Sequence, residues 1–201
     1  MHRIAVLISV EGSRITRNLL LILIAVYTHA EPITQIVKGY ASRSGRLDIA
    51  IRCLINVARF GKNFALPAKF AIVFDRFNKV LEIDVQSIPR ELFTELQFLD
   101  FVARCLRNEI QDACHVDELS YVSYLEKLKR NGLRIVLMSE RGSRRDRLPC
   151  RNVAYIVGSD VDAPTTGLED DVISIGTQSY LASHVVAYVV WRCLDEYRGS
   201  G

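Results

Sequence analysis

The sequence predicts an α/β fold, a parallel sheet covered by helices on both faces. Three observations carry that expectation. Short runs that are apolar almost throughout, Leu19–Tyr27, Leu133–Met138, Val153–Val157 and Val172–Ile175, read as strands buried on both sides, the habit of parallel sheets. Segments of helical period lie between them. The 201 residues, 49% of them hydrophobic, suffice for one core without internal repeats.

Each element has its own signal. Leu19–Tyr27 is too short to cross a membrane and is rich in Leu and Ile, so it reads as a core strand; Ile4–Val10 reads as another strand or an irregular start. Leu47, Ile51, Leu54 and Ala58 recur at helical spacing, and Gly61 is expected to stop that helix. Ala71–Phe74 and Lys79–Asp84 read as strands joined by a short turn through Asp75–Asn78. Pro89 is expected to open a helix from Arg90 to about Asn108, with Leu92, Leu96, Leu99, Val102 and Leu106 on one face. Leu119, Val122, Leu125 and Leu128 form a further helical stripe, closed by Asn131-Gly132. Ser179 to Tyr197 reads as a helix, apolar almost all round between Leu181 and Trp191. Such a helix is buried on more than one side, inside the domain or at a subunit interface.

Composition narrows the function classes. The net charge of +3 is too mild to announce nucleic-acid binding, but it is unevenly spread. Residues 152–201 hold two basic and seven acidic side chains, so the excess of cations sits in residues 1–151. Cys53, Cys105, Cys114, Cys150 and Cys193 are odd in number and lack zinc-like spacing. They read as reduced, mostly buried thiols of a cytoplasmic protein. With no signal-peptide pattern recognised, a soluble chain is expected.

Ligands of open α/β sheets sit beyond the carboxyl ends of the strands. Three ends stand out: Ser139-Glu140-Arg141-Gly142, Gly158-Ser159-Asp160, and Gly176-Thr177. Glycine after a strand lets the backbone approach a flat ligand, or simply makes a turn. Neither GxGxxG nor a P-loop is present. Arg141 to Arg151 carries five arginines against one Asp; an Arg-rich loop binds backbone phosphates or is merely solvated. Tyr40, Arg43, Arg46, Arg52 and Arg59 add a second basic region, and together the two favour an RNA-sized anion. His2, His29, His115 and His184 have no evident partners in sequence. Asp48, in Gly45-Arg46-Leu47-Asp48, starts a helix among arginines, either as an ordinary first-turn acid or as a working carboxylate.

The order and spacing of Gly45–Asp48 running into Ile49–Cys53, the helix Tyr121–Arg130, and strands ending at Leu137-Met138, Val157-Gly158 and Ile175 resemble the archaeal-type tRNA pseudouridine-54 N1-methyltransferases (TrmY) of the SPOUT superfamily. The likeness runs from about Leu19 to Tyr197; residues 1–18 would be an extension of a single domain spanning 1–201. It implies a deep trefoil knot, over about residues 133–197, an exception to the usual absence of knots. It also implies S-adenosylmethionine as cofactor, a homodimer built partly on Leu181–Trp191, and tRNA as substrate, with no metal and no membrane. The implied cofactor residues are Leu137, Met138, Gly158, Ser174, Ile175, Gly176, Leu181 and Val186. Asp48 and Arg46 would serve catalysis, and Arg43, Arg141, Arg144 and Arg145 would contact RNA. The family's third loop carries Ser-Pro and, further along, a Cys; here Gly176-Thr177 and Val186 stand there.

Overall fold

The computed structural model describes residues 22–35 and 45–199. The apolar run supplies β1 (Ile22–Thr28), followed by α1 (Leu47–Asn63) and the hairpin of β2 (Ala68–Phe74) and β3 (Lys79–Asp84). Next come α2 (Glu95–Leu106), β4 (Cys114–Asp117), α3 (Tyr121–Arg130) and β5 (Arg134–Arg144). The chain finishes with β6 (Val153–Gly158), β7 (Asp171–Ser174) and α4 (Ala182–Gly199). The strands form one sheet in the order β4-β3-β2-β1-β6-β5-β7. The segments before Ile22 and the basic-region residues Tyr40 and Arg43 lie outside the described residues.

β1 is the spine of the sheet, pairing in parallel with β2 on one side and β6 on the other. All seven of its residues are buried. Ile22, Ile24 and Val26 enter a core shared with α1, α2 and α4, while Leu23, Ala25 and Tyr27 enter a second core under α3. That two-sided burial is why the strand is apolar at nearly every position.

The α/β class stands, but the sheet is mixed. β3 runs antiparallel to β2 and to β4, so two strands extend a parallel-dominated sheet. β4 carries no sequence signal, since its four residues are half-buried or exposed. Helix phases also differ from expectation. α2 begins at Glu95, where the Thr94 hydroxyl accepts from the Gln97 N–H and the Gln97 side chain caps in return. Its buried face is therefore Phe98, Phe101, Val102, Cys105 and Leu106, with Leu96 exposed. α3 starts after the Ser120 cap and buries Tyr121, Tyr124, Leu125 and Leu128, leaving Val122 outside. Gly61 lies inside α1, where the absent side chain admits Val85. α4 is buried on one side only, through Val186, Val189, Val190, Cys193 and Leu194; Trp191 and Leu181 are exposed.

The cysteines are not all thiols. Cys105 pairs with Cys114 and Cys150 with Cys193, leaving Cys53 free and buried. The first pair ties the end of α2 to β4, and the second ties the loop after β5 to α4. Both pairings arise from tertiary proximity, which scattered spacing does not encode.

One contact organises the last three strands. Ile173 of β7 pairs with Met138 and again with Ser143, so β5 engages β7 both before and after residues 139–142. Between these pairings Gly142 is laid on the backbone of Ile173: a Cβ there would stand 2.7 Å from its N and 2.8 Å from its Cα. Only glycine fits such an approach. Gly142→Ala is expected to cost about 3 kcal/mol or more, since the obstacle is backbone rather than a flexible side chain. Urea unfolding of the variant would refute the crossing if stability moved by less than about 0.5 kcal/mol.

Candidate active site at the carboxyl ends of the strands

The stretch of β5 where its pairing with β6 ends, and the carboxyl ends of β6 and β7, enclose a crevice. Its floor is apolar, from Met138, Val157 and Ile173, and its rim holds Ser139, Glu140, Gly158 and Asp162. Ser174, Ile175 and the segment Gln178–Tyr180 close the far wall. Met138, Gly158, Ser174 and Ile175, all expected at the cofactor, are thus brought together. Gly176 lies just beyond the wall, against Tyr180. The structure places the other three elsewhere: Leu137 is buried under α3 on the opposite face, Leu181 points to solvent, and Val186 is wholly buried inside α4's packing. Alternation along β5 separates Leu137 from Met138. The free volume of the crevice is about 70 Å³.

A second cluster lies at the start of α1. The turn before α1 holds Arg46 in the left-handed region, φ 70°, a conformation costing a non-glycine residue about 1 kcal/mol or more. From there its Nε donates to Asp48 Oδ1 at 3.1 Å, while Arg52 Nη2 reaches Asp48 Oδ2 at 3.5 Å. Arg52 Nε also pairs with Glu95 at 2.7 Å. The Asp48 carboxylate, 14% exposed, has both oxygens engaged by guanidiniums. That arrangement holds the side chain of Arg46, itself 60% exposed.

The end of β1 joins the two clusters. Asp160 Oδ1 accepts from the Thr28 hydroxyl at 2.7 Å, the Ser159 hydroxyl at 2.7 Å and the His29 N–H at 3.3 Å. The Thr28 Oγ in turn accepts from the Ala30 N–H, and a Cβ on Gly45 would stand 3.2 Å from the Ala30 Cα. Burial by itself would raise the Asp160 pKa; the hydrogen bonds from Thr28, Ser159 and backbone N–H groups outweigh it and hold the carboxyl below the usual range. Sequence reading missed this network, whose partners are 131 and 132 residues apart. It also left His29 alone. In the fold, the His29 Nε2 lies 3.3 Å from the Tyr27 hydroxyl, which donates to Asp75 Oδ2 at 2.8 Å. Burial, then the Asp75 bond, raise the Tyr27 pKa, so that phenol stays a donor. A His two residues beyond an aromatic strand end was the available sequence signal.

The Arg-rich stretch is half strand. Arg141 and Arg144 belong to β5, are exposed, and their guanidiniums have no ion-pair partner among the described residues. Arg145 is instead bonded to Asp171 at 3.1 and 3.3 Å, beside Arg134 at 3.4 Å. Arg134, Arg145, Arg147 and Arg192 line an open hollow of about 710 Å³ beside α4. Among the described residues no group of three or more His, Cys, Asp or Glu is placed to hold a metal, and no helix is long and apolar enough to cross a membrane.

No family model matches the chain, and no curated protein matches it at a significant level. Among solved structures, the fold is similar to Archaeoglobus fulgidus Nep1 bound to S-adenosylhomocysteine, with a TM-score of 0.60 and 14% identity over 88% of this chain and 98% of that one. An RNA 2'-O ribose methyltransferase gives a TM-score of 0.48 and 14% identity over 94% of this chain and 61% of that one. A structure described for 2-OH methylation of C/U34 on tRNA gives 0.44 and 15% identity, over 88% and 97% of the two chains.

The Asp160 network makes a test by pH. A carboxyl whose folded pKa is lowered adds stability that is present above its unfolded value, about 3.9, and lost as pH falls through the folded value. Asp160→Asn is therefore expected to be less stable than wild type near pH 7, with the gap closing below about pH 4. Thermal midpoints showing a constant gap across that range would remove Asp160 from the account.

Proposed function

We propose that this chain is an S-adenosylmethionine-dependent RNA methyltransferase that methylates N1 of a pseudouridine, in the T-loop of tRNA at position 54. The observation that carries the reading is the crevice between β5 and the carboxyl ends of β6 and β7, where β5 shifts register at Ile173, in a fold similar to that of a Nep1 bound to S-adenosylhomocysteine. A trefoil knot spanning about residues 133–197 is part of the reading.

The crevice residues suit such a cofactor by chemistry. Met138, Val157 and Ile173 offer an apolar floor for a purine, and Glu140 and Asp162 offer acceptors for hydroxyl or ammonium groups. Bound there, the cofactor would supply a methyl on a sulfonium leaving group. The protein's task is then alignment, and management of the proton that N1 loses. Arg46, held by Asp48, is the donor that would stabilise the anionic ring or grip its phosphate. Arg141 and Arg144, with unpaired guanidiniums, would engage backbone phosphate, whereas Arg145 is already committed to Asp171. Exposed Leu181 and Trp191 at α4 support a homodimer through that helix. A cytoplasmic setting goes with a tRNA substrate; the two disulfides are the observation that pulls against it.

A pseudouridine of ribosomal RNA is the second reading, with the same fold and crevice. Methylation of matched T-loop and ribosomal hairpins, each carrying one pseudouridine, separates the two. In the same assay Asp48→Ala is expected to bind S-adenosylhomocysteine as wild type does by calorimetry, and to fall about a hundredfold or more in methyl transfer. Near-normal turnover would sink the role of the Arg46–Asp48 pair, and absence of S-adenosylhomocysteine binding would favour a non-catalytic RNA-binding protein. Replacing Arg141 and Arg144 by Ala should weaken RNA binding and reduce its salt slope by about 1 for each phosphate left unneutralised. An unchanged slope would mean that this edge is only solvated.

A further inference from the structure

We propose that Tyr180 sets the affinity of the crevice for its nucleoside ligand, by occupying the space over Gly176 and turning outward before the ligand can enter. The inference rests on the cofactor reading above and concerns the same site.

Small-molecule pockets commonly hold about 300–1,000 Å³, and the crevice offers about 70 Å³. Tyr180 is one of the residues that line it. The Tyr180 phenol lies so close over Gly176 that a Cβ at that position would stand 2.8 Å from its Cε2 and 2.9 Å from its Cζ. Glycine at 176 is what lets the ring lie there.

The backbone beneath is fixed. The Ser174 hydroxyl donates to the Gly176 carbonyl at 2.5 Å and accepts from the Gly176 N–H at 3.3 Å, and Ser174 is buried. Widening the crevice by moving this loop would break both bonds. The ring is not fixed. Tyr180 is 46% exposed, its hydroxyl has no hydrogen-bond partner among the described residues, and it precedes the first residue of α4. A side chain so placed changes rotamer in picoseconds to nanoseconds without disturbing the helix. The movable part is therefore the phenol.

A ligand that binds only when the ring is out has its apparent affinity reduced by the fraction of time the ring is out. Stopped-flow and calorimetric binding of S-adenosylhomocysteine to the full chain tests this without turnover. Tyr180→Ala should bind at least about fivefold tighter, through a faster association rate with little change in dissociation. Tyr180→Phe should match wild type, because the hydroxyl makes no hydrogen bond to remove. Circular dichroism and the thermal midpoint of each variant guard against misfolding, which a half-exposed position should not cause. Weaker binding by Tyr180→Ala, through faster dissociation, would overturn the proposal and make the ring a stacking wall for the ligand. Equal binding by Tyr180→Ala and wild type would overturn it too. Absence of binding by both proteins would overturn the cofactor reading along with it, an outcome distinct from the other two.

Discussion

The approach of Gly142 to the backbone of Ile173 is the interaction on which the functional end of the molecule depends. It lets β5 engage β7 twice, and so brings Ser139 and Glu140 round to the side where Gly158 and Ser174 already stand. Backbone-to-backbone packing of this kind has no soft direction, because neither partner has a rotamer to change. A crevice built on it has a fixed floor and rim. Its adjustable part is then a side chain of the wall, and Tyr180, half-exposed with its ring over Gly176, is one.

β1 carries the same rigidity to the other half of the site. Its residues are locked between two cores, and its end is clamped through Thr28 and His29 to Asp160 from β6's loop. Gly45 then seats the Arg46–Asp48 turn on Ala30. The strained Arg46 backbone is tolerated because its neighbours over-determine it: Asp48 draws in the side chain, and Arg52 is anchored in turn by Glu95 at the start of α2. Charge is therefore used locally, in short chains of partners, while the basic excess remains displayed at Arg141 and Arg144 on the far edge.

Ionic and covalent ties reinforce both ends of the sheet. Lys127 of α3 bonds to Glu82 of β3 at 3.0 Å and to Asp117 of β4 at 2.6 Å, and so holds the antiparallel extension under the helix. The Cys105–Cys114 pair fixes the same short strand to the end of α2. At the opposite edge, Cys150–Cys193 anchors the Arg-rich loop to α4. Cys105, Cys150 and Cys193 are buried in the main core, whereas β4 has no apolar pattern of its own.

By itself the sequence determined the fold class, the order of nearly all elements, and several of the residues that line the crevice. Hydrophobic period is written locally, so β1, β5, β6 and the helices are legible one segment at a time. The Gly45–Asp48 turn was legible for the same reason, its residues being adjacent. Helix phase was less so: Thr94 and Gln97 of a capping box outrank the earlier Pro89, which moves the buried face from Leu96 to Phe98 and Phe101. Only the tertiary structure decided the edge strand β4, the cysteine pairs and the Asp160 network. Each depends on which surfaces meet, through residues without a pattern of their own or far apart in the chain, and no short window of sequence records that meeting.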